Sequence, residues 1–143
     1  MGASSALKYG KADIIVADSP FRSIKKLCKE VVVNSKPKPI PSCLISCIFP
    51  CVYMKLRSDV KTRGQYDLDE LDIEKDVEMI NPASTLIFLS GNDDKLVNYY
   101  NSQKLYRLFS GKNKYLEIVV GNHNSKRPDQ IIEKIMGLIE RQG

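Results

Sequence analysis

Histidine is almost absent: His123 is the only one among 143 residues. Any chemistry that needs an imidazole near neutral pH must use that residue. The four cysteines, Cys28, Cys43, Cys47 and Cys51, form no CxxC pair and lie far from His123 in sequence, which argues against zinc. No metal or other cofactor is expected. No basic run is interleaved with aromatics, which argues against a nucleic-acid partner. The most apolar stretch, Ile40 to Met54, has about fifteen residues, short of the ~20 that span a bilayer. No secretory signal opens the chain, so a reducing, cytoplasmic interior is the expected home of the thiols. The start MGASSA approaches a myristoylation signal but has Ala6 where that pattern needs Ser or Thr. There is no internal repeat and no low-complexity tract.

What is present fits one globular domain. At 43% hydrophobic and 27% charged residues, the composition argues against disorder. The net charge of +5 is explained by lysines spread over solvated helix faces, or by contact with an anionic membrane surface.

Gly2 to Gly10 reads as a short helix of small residues closed by glycine. Ala12 to Asp18 is apolar without alternation, as expected of a strand buried on both faces in a parallel sheet. Ser19 and Pro20 read as the N-cap and first position of a helix, with Phe21, Ile24, Leu27, Cys28 and Val31 at helical spacing. Three prolines between Asn34 and Pro41 break the chain. In the apolar stretch that follows, Cys43, Cys47 and Cys51 would share one helix face, and Pro50 would kink or divide that helix. Three readings stand: a greasy helix packed on the body, a lid over an apolar pocket, or a membrane-touching or acylated patch. Tyr66 to Asp76 is acidic and reads as solvated or capping. Thr85 to Leu89 and Tyr115 to Val120 read as strands. Val97 to Ser110 and the segment from Pro128 onward read as amphipathic helices, the last with Ile131, Ile132, Ile135, Met136, Leu138 and Ile139 inward. Alternating strands and helices imply a parallel α/β sheet of about three strands. Ligand chemistry in such sheets gathers at the carboxyl ends of the strands, where Asp18, Asp94 and His123 all fall.

Asp94 and His123 are a carboxylate and an imidazole at the ends of successive strands. A histidine can act as general base, and a carboxylate on its far nitrogen fixes its tautomer. The bland alternatives are a loop histidine capping the next helix and a turn-forming aspartate after Gly91. The order acid then histidine, with a nucleophile upstream, is that of α/β-hydrolases.

The motifs extend that comparison. Met1-Gly2-Ala3, Asp18-Ser19-Pro20-Phe21, Gly91-x-x-Asp94-x-x-Val97 and Gly121-Asn122-His123-Asn124 resemble four segments of the serine α/β-hydrolases. The subgroup is the one with a G-x-S-M-G-A elbow, which includes serine-aminopeptidase-like and acyl-thioesterase-like members. The resemblance covers nearly all of residues 1–143 and corresponds to the C-terminal half of such a domain, with residues 36–65 where the family places its lid. It implies a partial α/β-hydrolase fold. It also implies Asp94 as the acid, His123 as the base and Met1 as an oxyanion N–H donor, with Asp18 a reserve acid. The substrate would be a small molecule or acyl compound with an ester, thioester or amide bond. The nucleophilic serine would lie one position before Met1, so the chain alone is expected to be an inactive fragment. With one strand edge uncovered it is expected to self-associate. The alternative is a non-catalytic α/β module that binds a lipid or a protein partner through the apolar lid, with possible membrane-surface contact.

Overall fold

Thr85–Gly91 is buried along its whole length, which a strand achieves only when helices cover both faces. This strand, β2, is the middle of a three-stranded parallel sheet in the computed structural model, which describes residues 2–34 and 41–141. β1 (Ile14–Asp18) pairs along one side and β3 (Lys114–Val119) along the other, both parallel. The helices are α1 (Gly2–Tyr9), α2 (Ile24–Asn34), α3 (Ser42–Gly64), α4 (Ile73–Glu78), α5 (Tyr100–Leu108) and α6 (Asp129–Glu140). The expected α/β fold class, with a parallel sheet of about three strands flanked by helices, is the observed one.

The two-residue period of β2 divides the core. Leu86 and Phe88 face a cluster built with Leu7 of α1, Val77 of α4, Leu105 of α5 and Phe109. Ile87 and Leu89 face the other way, against Val119 of β3 and Ile135 of α6. A third, smaller cluster joins Ile45, Phe49 and Tyr53 of α3 to Cys28 of α2 and Leu68. α3 is also clipped by charge: Arg57 donates to both carboxylate oxygens of Asp67, at 2.7 and 2.6 Å.

Several sequence expectations are corrected. Ser19 is not a helix cap and Pro20 is not helical; α2 begins at Ile24. Ser19 sits at φ 51°, its N–H bonds the carbonyl of Leu89, and Ser4 Oγ accepts the N–H of Phe21. These bonds hold the chain out of the helical path. Pro50 neither ends nor divides α3, which is one helix of 23 residues. The N–H that Pro50 lacks would have met the carbonyl of Ser46, and both residues are exposed, so water can serve that carbonyl. α5 begins at Tyr100, not Val97: Asp94 gathers the N–H groups of Leu96 and Val97 into a turn, and Asn98 then takes the N–H groups of Tyr100 and Asn101. On α6, Ile132 and Met136 face solvent while Ile135 is buried. The break at residues 35–40 and the expected role of Met1 lie outside the described residues.

Phe88 is fully buried and Met79 is three-quarters exposed. Phe88→Ala should therefore lower unfolding stability by about 3–5 kcal/mol in urea melts, while Met79→Ala changes it by less than about 0.5 kcal/mol. Burial raises the Tyr53 hydroxyl above its usual value, helped by its bond to Asp69, and pushes the Tyr66 hydroxyl up to about 12. A phenol that holds its proton more tightly when folded contributes stability that is complete below the unfolded pKa of about 10 and is lost as pH rises past it. Urea midpoints should thus fall steeply above about pH 10. Tyr53→Phe and Tyr66→Phe should each remove a late-titrating phenol from the tyrosinate absorbance of the folded protein. The Asp67 carboxyl is held well below the usual range, chiefly by Arg57. Its contribution is complete above about pH 4 and declines below it.

Candidate active site

In the parallel register Gly91 of β2 lies opposite Val119 of β3. The loops leaving these two strands are therefore side by side. They also touch: the N–H of Asp93 bonds the carbonyl of Gly121 at 3.0 Å, and the N–H of Gly121 bonds Asn92 Oδ1 at 3.1 Å. A Cβ on Gly91 would overlap the carbonyl of Gly121, and Gly121 itself adopts φ 136°. Glycine at both positions is what permits this approach.

The contact brings Asp94 to His123. Asp94 Oδ2 is 2.8 Å from His123 Nδ1. The Asp94 side chain is completely buried, whereas the His123 side chain is 37% exposed. Asp94 Oδ1 accepts the N–H groups of Leu96 (3.0 Å) and Val97 (2.8 Å). A buried carboxylate that accepts three hydrogen bonds is fixed in orientation. An ionised carboxylate is acceptor-only, so Nδ1 carries the proton in the neutral imidazole and Nε2 keeps its lone pair. Among the described residues nothing hydrogen-bonds Nε2. The pair is therefore an oriented imidazole, partly exposed, with Nε2 free to accept a proton.

Asp18, the other strand-end carboxylate, is engaged elsewhere. Arg127, itself largely buried, donates Nε to Asp18 Oδ2 at 2.9 Å and Nη2 to Oδ1 at 2.7 Å. Arg127 also reaches Ser19 Oγ at 3.2 Å and the carbonyl of Asn122 at 3.3 Å. The Asp18 carboxylate holds the Arg127 guanidinium above its usual value. Arg127 thus ties the end of β1 to the loop that carries His123. Sequence reasoning missed Arg127 and Asn92, since no local pattern marks an arginine that bonds a partner 109 residues away. No serine hydroxyl among the described residues hydrogen-bonds His123. Ser4 Oγ is bonded to the backbone of Phe21, and Ser90 and Ser102 bond each other at 2.6 Å. The described residues contain no group of three or more His, Cys, Asp or Glu side chains placed to hold a metal.

Solved structures share this architecture. An esterase from Pyrococcus furiosus superposes with a TM-score of 0.58 at 19% identity, over 96% of this chain and 48% of its own. The esterase domain of a Rhodothermus marinus protein gives 0.60 at 11% identity, over 99% and 56%. The α/β hydrolase domain-containing protein 10 from mouse gives 0.53 at 13%, over 99% and 58%. This is a partial α/β-hydrolase fold. The chain spans about half the length of the hydrolase-fold structures it matches. No protein-family model matches the sequence, and no curated protein sequence matches it.

One substitution separates the two strand-end carboxylates. In Asp94→Asn the amide oxygen still serves Leu96 and Val97, so the amide nitrogen must face His123 Nδ1 and donate to it. The neutral imidazole should then switch to the Nε2–H tautomer. Because His123 is the only histidine, its nitrogen NMR shifts report this without ambiguity; Asp18→Asn should leave them at the Nδ1–H tautomer. Asp94→Ala should cost about 1–3 kcal/mol, because it orphans the buried N–H of Val97.

Proposed function

We propose that Asp94 and His123 are the acid and base of a serine hydrolase that cleaves ester bonds through an acyl-enzyme. One observation carries this reading: a fully buried, triply bonded carboxylate holds the imidazole by Nδ1 at the carboxyl end of a parallel sheet and leaves Nε2 outward. His123 Nε2 would take the proton of a serine hydroxyl as it attacks the substrate carbonyl, then return it to the leaving group. A water attacks the acyl-enzyme by the same route and frees the serine. Asp94 stays ionised and stabilises the imidazolium at each transfer. The esterase names of the fold's neighbours support an ester substrate. The motif resemblance to aminopeptidase-like and thioesterase-like members extends the candidates to thioesters and amides.

The serine is assigned to the polypeptide immediately ahead of Met1, where the elbow motif of the resemblance would place it. The N–H of Met1 would then be an oxyanion donor. On this reading the 143-residue chain alone carries the acid and base without a nucleophile, and Asp18 serves the Arg127 clamp and not the acid role.

A fluorophosphonate probe tests the assignment. It should leave the 143-residue chain unlabelled and should label a polypeptide extended upstream through a G-x-S segment. In the extended protein, His123→Ala should lower kcat by about 10⁴–10⁶ and Asp94→Asn by about 10⁴. Stoichiometric labelling of the short chain, or an Asp94→Asn variant with full activity, would refute the proposal.

A further inference from the structure

α3 is packed on the protein by one stripe only. Ile45, Phe49 and Tyr53 are buried against α2 and the turn at Leu68. The neighbouring stripe, Leu44, Ile48 and Val52, is about half exposed. With Val32 of α2 it forms an open groove of about 160 Å³ that has no polar group in its lining. Next around the helix come Cys43, Cys47 and Cys51, all exposed as free thiols, which behave as small apolar groups. The outward arc of the first half of α3 is thus apolar and without a partner among the described residues. A contiguous apolar face of this kind marks an interaction surface.

The second half of the same helix says what kind. From Lys55 onward α3 carries Lys55, Arg57, Lys61 and Arg63; Arg57 is spent on Asp67 and Asp69, while Lys55 and Lys61 make surface pairs with Asp59 and Asp67. Lys55 and Lys61 are well exposed, and the flanking Lys25 and Lys29 of α2 are exposed too. An apolar face continued by cations suits a surface that is apolar within and anionic at its rim. It cannot be a crossing segment, since no helix among the described residues is long and apolar enough to cross a membrane.

We propose that the outer face of α3 docks on an anionic lipid bilayer. Leu44, Ile48 and Val52 enter the boundary between headgroups and acyl chains, and the exposed lysines of α3 and α2 lie against lipid phosphates and carboxylates. This inference rests on the surface alone and stands apart from the hydrolase reading.

The intact chain, with thiols kept reduced, is floated through a density gradient with vesicles of phosphatidylcholine alone or of phosphatidylcholine with phosphatidylserine. Flotation reads vesicle-bound protein whatever its oligomeric state. Binding should occur to the anionic vesicles, weaken several-fold as salt is raised, and fall about tenfold or more in Ile48→Gln/Val52→Gln. Both positions are exposed, so that variant should keep its circular dichroism and its urea midpoint. As a second measurement, Ile48→Trp places a single tryptophan in a chain that has none, and its emission should shift to the blue only with anionic vesicles. Equal flotation on neutral vesicles would overturn the proposal, as would undiminished flotation of the double variant or an unshifted tryptophan. So would a dimer that the double variant dissolves and that binds no vesicle, which would make the face a contact between copies of this chain.

Discussion

Everything distinctive about this chain depends on how closely two loops can approach. Parallel pairing of β2 with β3 fixes Gly91 opposite Val119. The acid loop must then pass the histidine loop at backbone distance. A side chain at Gly91 would strike the carbonyl of Gly121, and one at Gly121 would strike Ser125. With both absent, each loop satisfies the other's backbone: Asn92 N–H to Val119, Asp93 N–H to Gly121, Gly121 N–H to Asn92. The Asp94–His123 pair is the consequence. Neither residue needs a specific attraction to find the other, because register and two glycines have already set the separation.

The two strand-end carboxylates illustrate how surroundings assign roles. Asp94 is fully buried, yet none of its partners is a permanent cation; its charge is met by two backbone N–H groups and an imidazole. That leaves the imidazole as the group whose charge can change. Asp18 is matched by Arg127, which stays protonated at any ordinary pH, so nothing in that pair can act as a base. Arg127 is held by four bonds to Asp18, Ser19 and Asn122, which makes it a brace between β1 and the histidine loop. Of the two, one is a fixed ion pair that sets position; the other joins a buried carboxylate to a partly exposed imidazole.

Much of this was legible in the sequence because strands, glycines and a unique histidine are local signals. The runs before Gly91 and Gly121 are short and apolar and mark the strands; the polar clusters after them hold Asp94 and His123, the residues that meet. What was not legible depended on distant partners. Ser19-Pro20 has the residues of a helix start, but the Leu89 carbonyl and Ser4 hydroxyl claim the backbone there first. Val97 has the periodicity of α5, but lies in the turn that Asp94 organises ahead of that helix. Pro50 looked like a helix breaker because a proline's cost depends on whether its orphaned carbonyl meets water, and sequence does not say which way Ser46 faces. Arg127 lay hidden for the same reason: its four acceptors come from two distant segments, Asp18-Ser19 and Asn122.

α3 presents the opposite case, a local pattern that outruns the needs of the fold. Burial of Ile45, Phe49 and Tyr53 contributes about 1.5–3 kcal/mol for each large apolar side chain, and the Arg57–Asp67 clip fixes the far half of the helix. These contacts hold α3 against the body without help from its outer surface. Folding therefore places no demand that Leu44, Ile48 and Val52 be apolar, and solubility argues against it. Polar residues at those positions would leave the buried stripe intact and remove an aggregation hazard. The outer stripe has to be accounted for by something outside the fold of the described residues, and the exposed lysines around it, on α3 and α2, give that something a sign of charge.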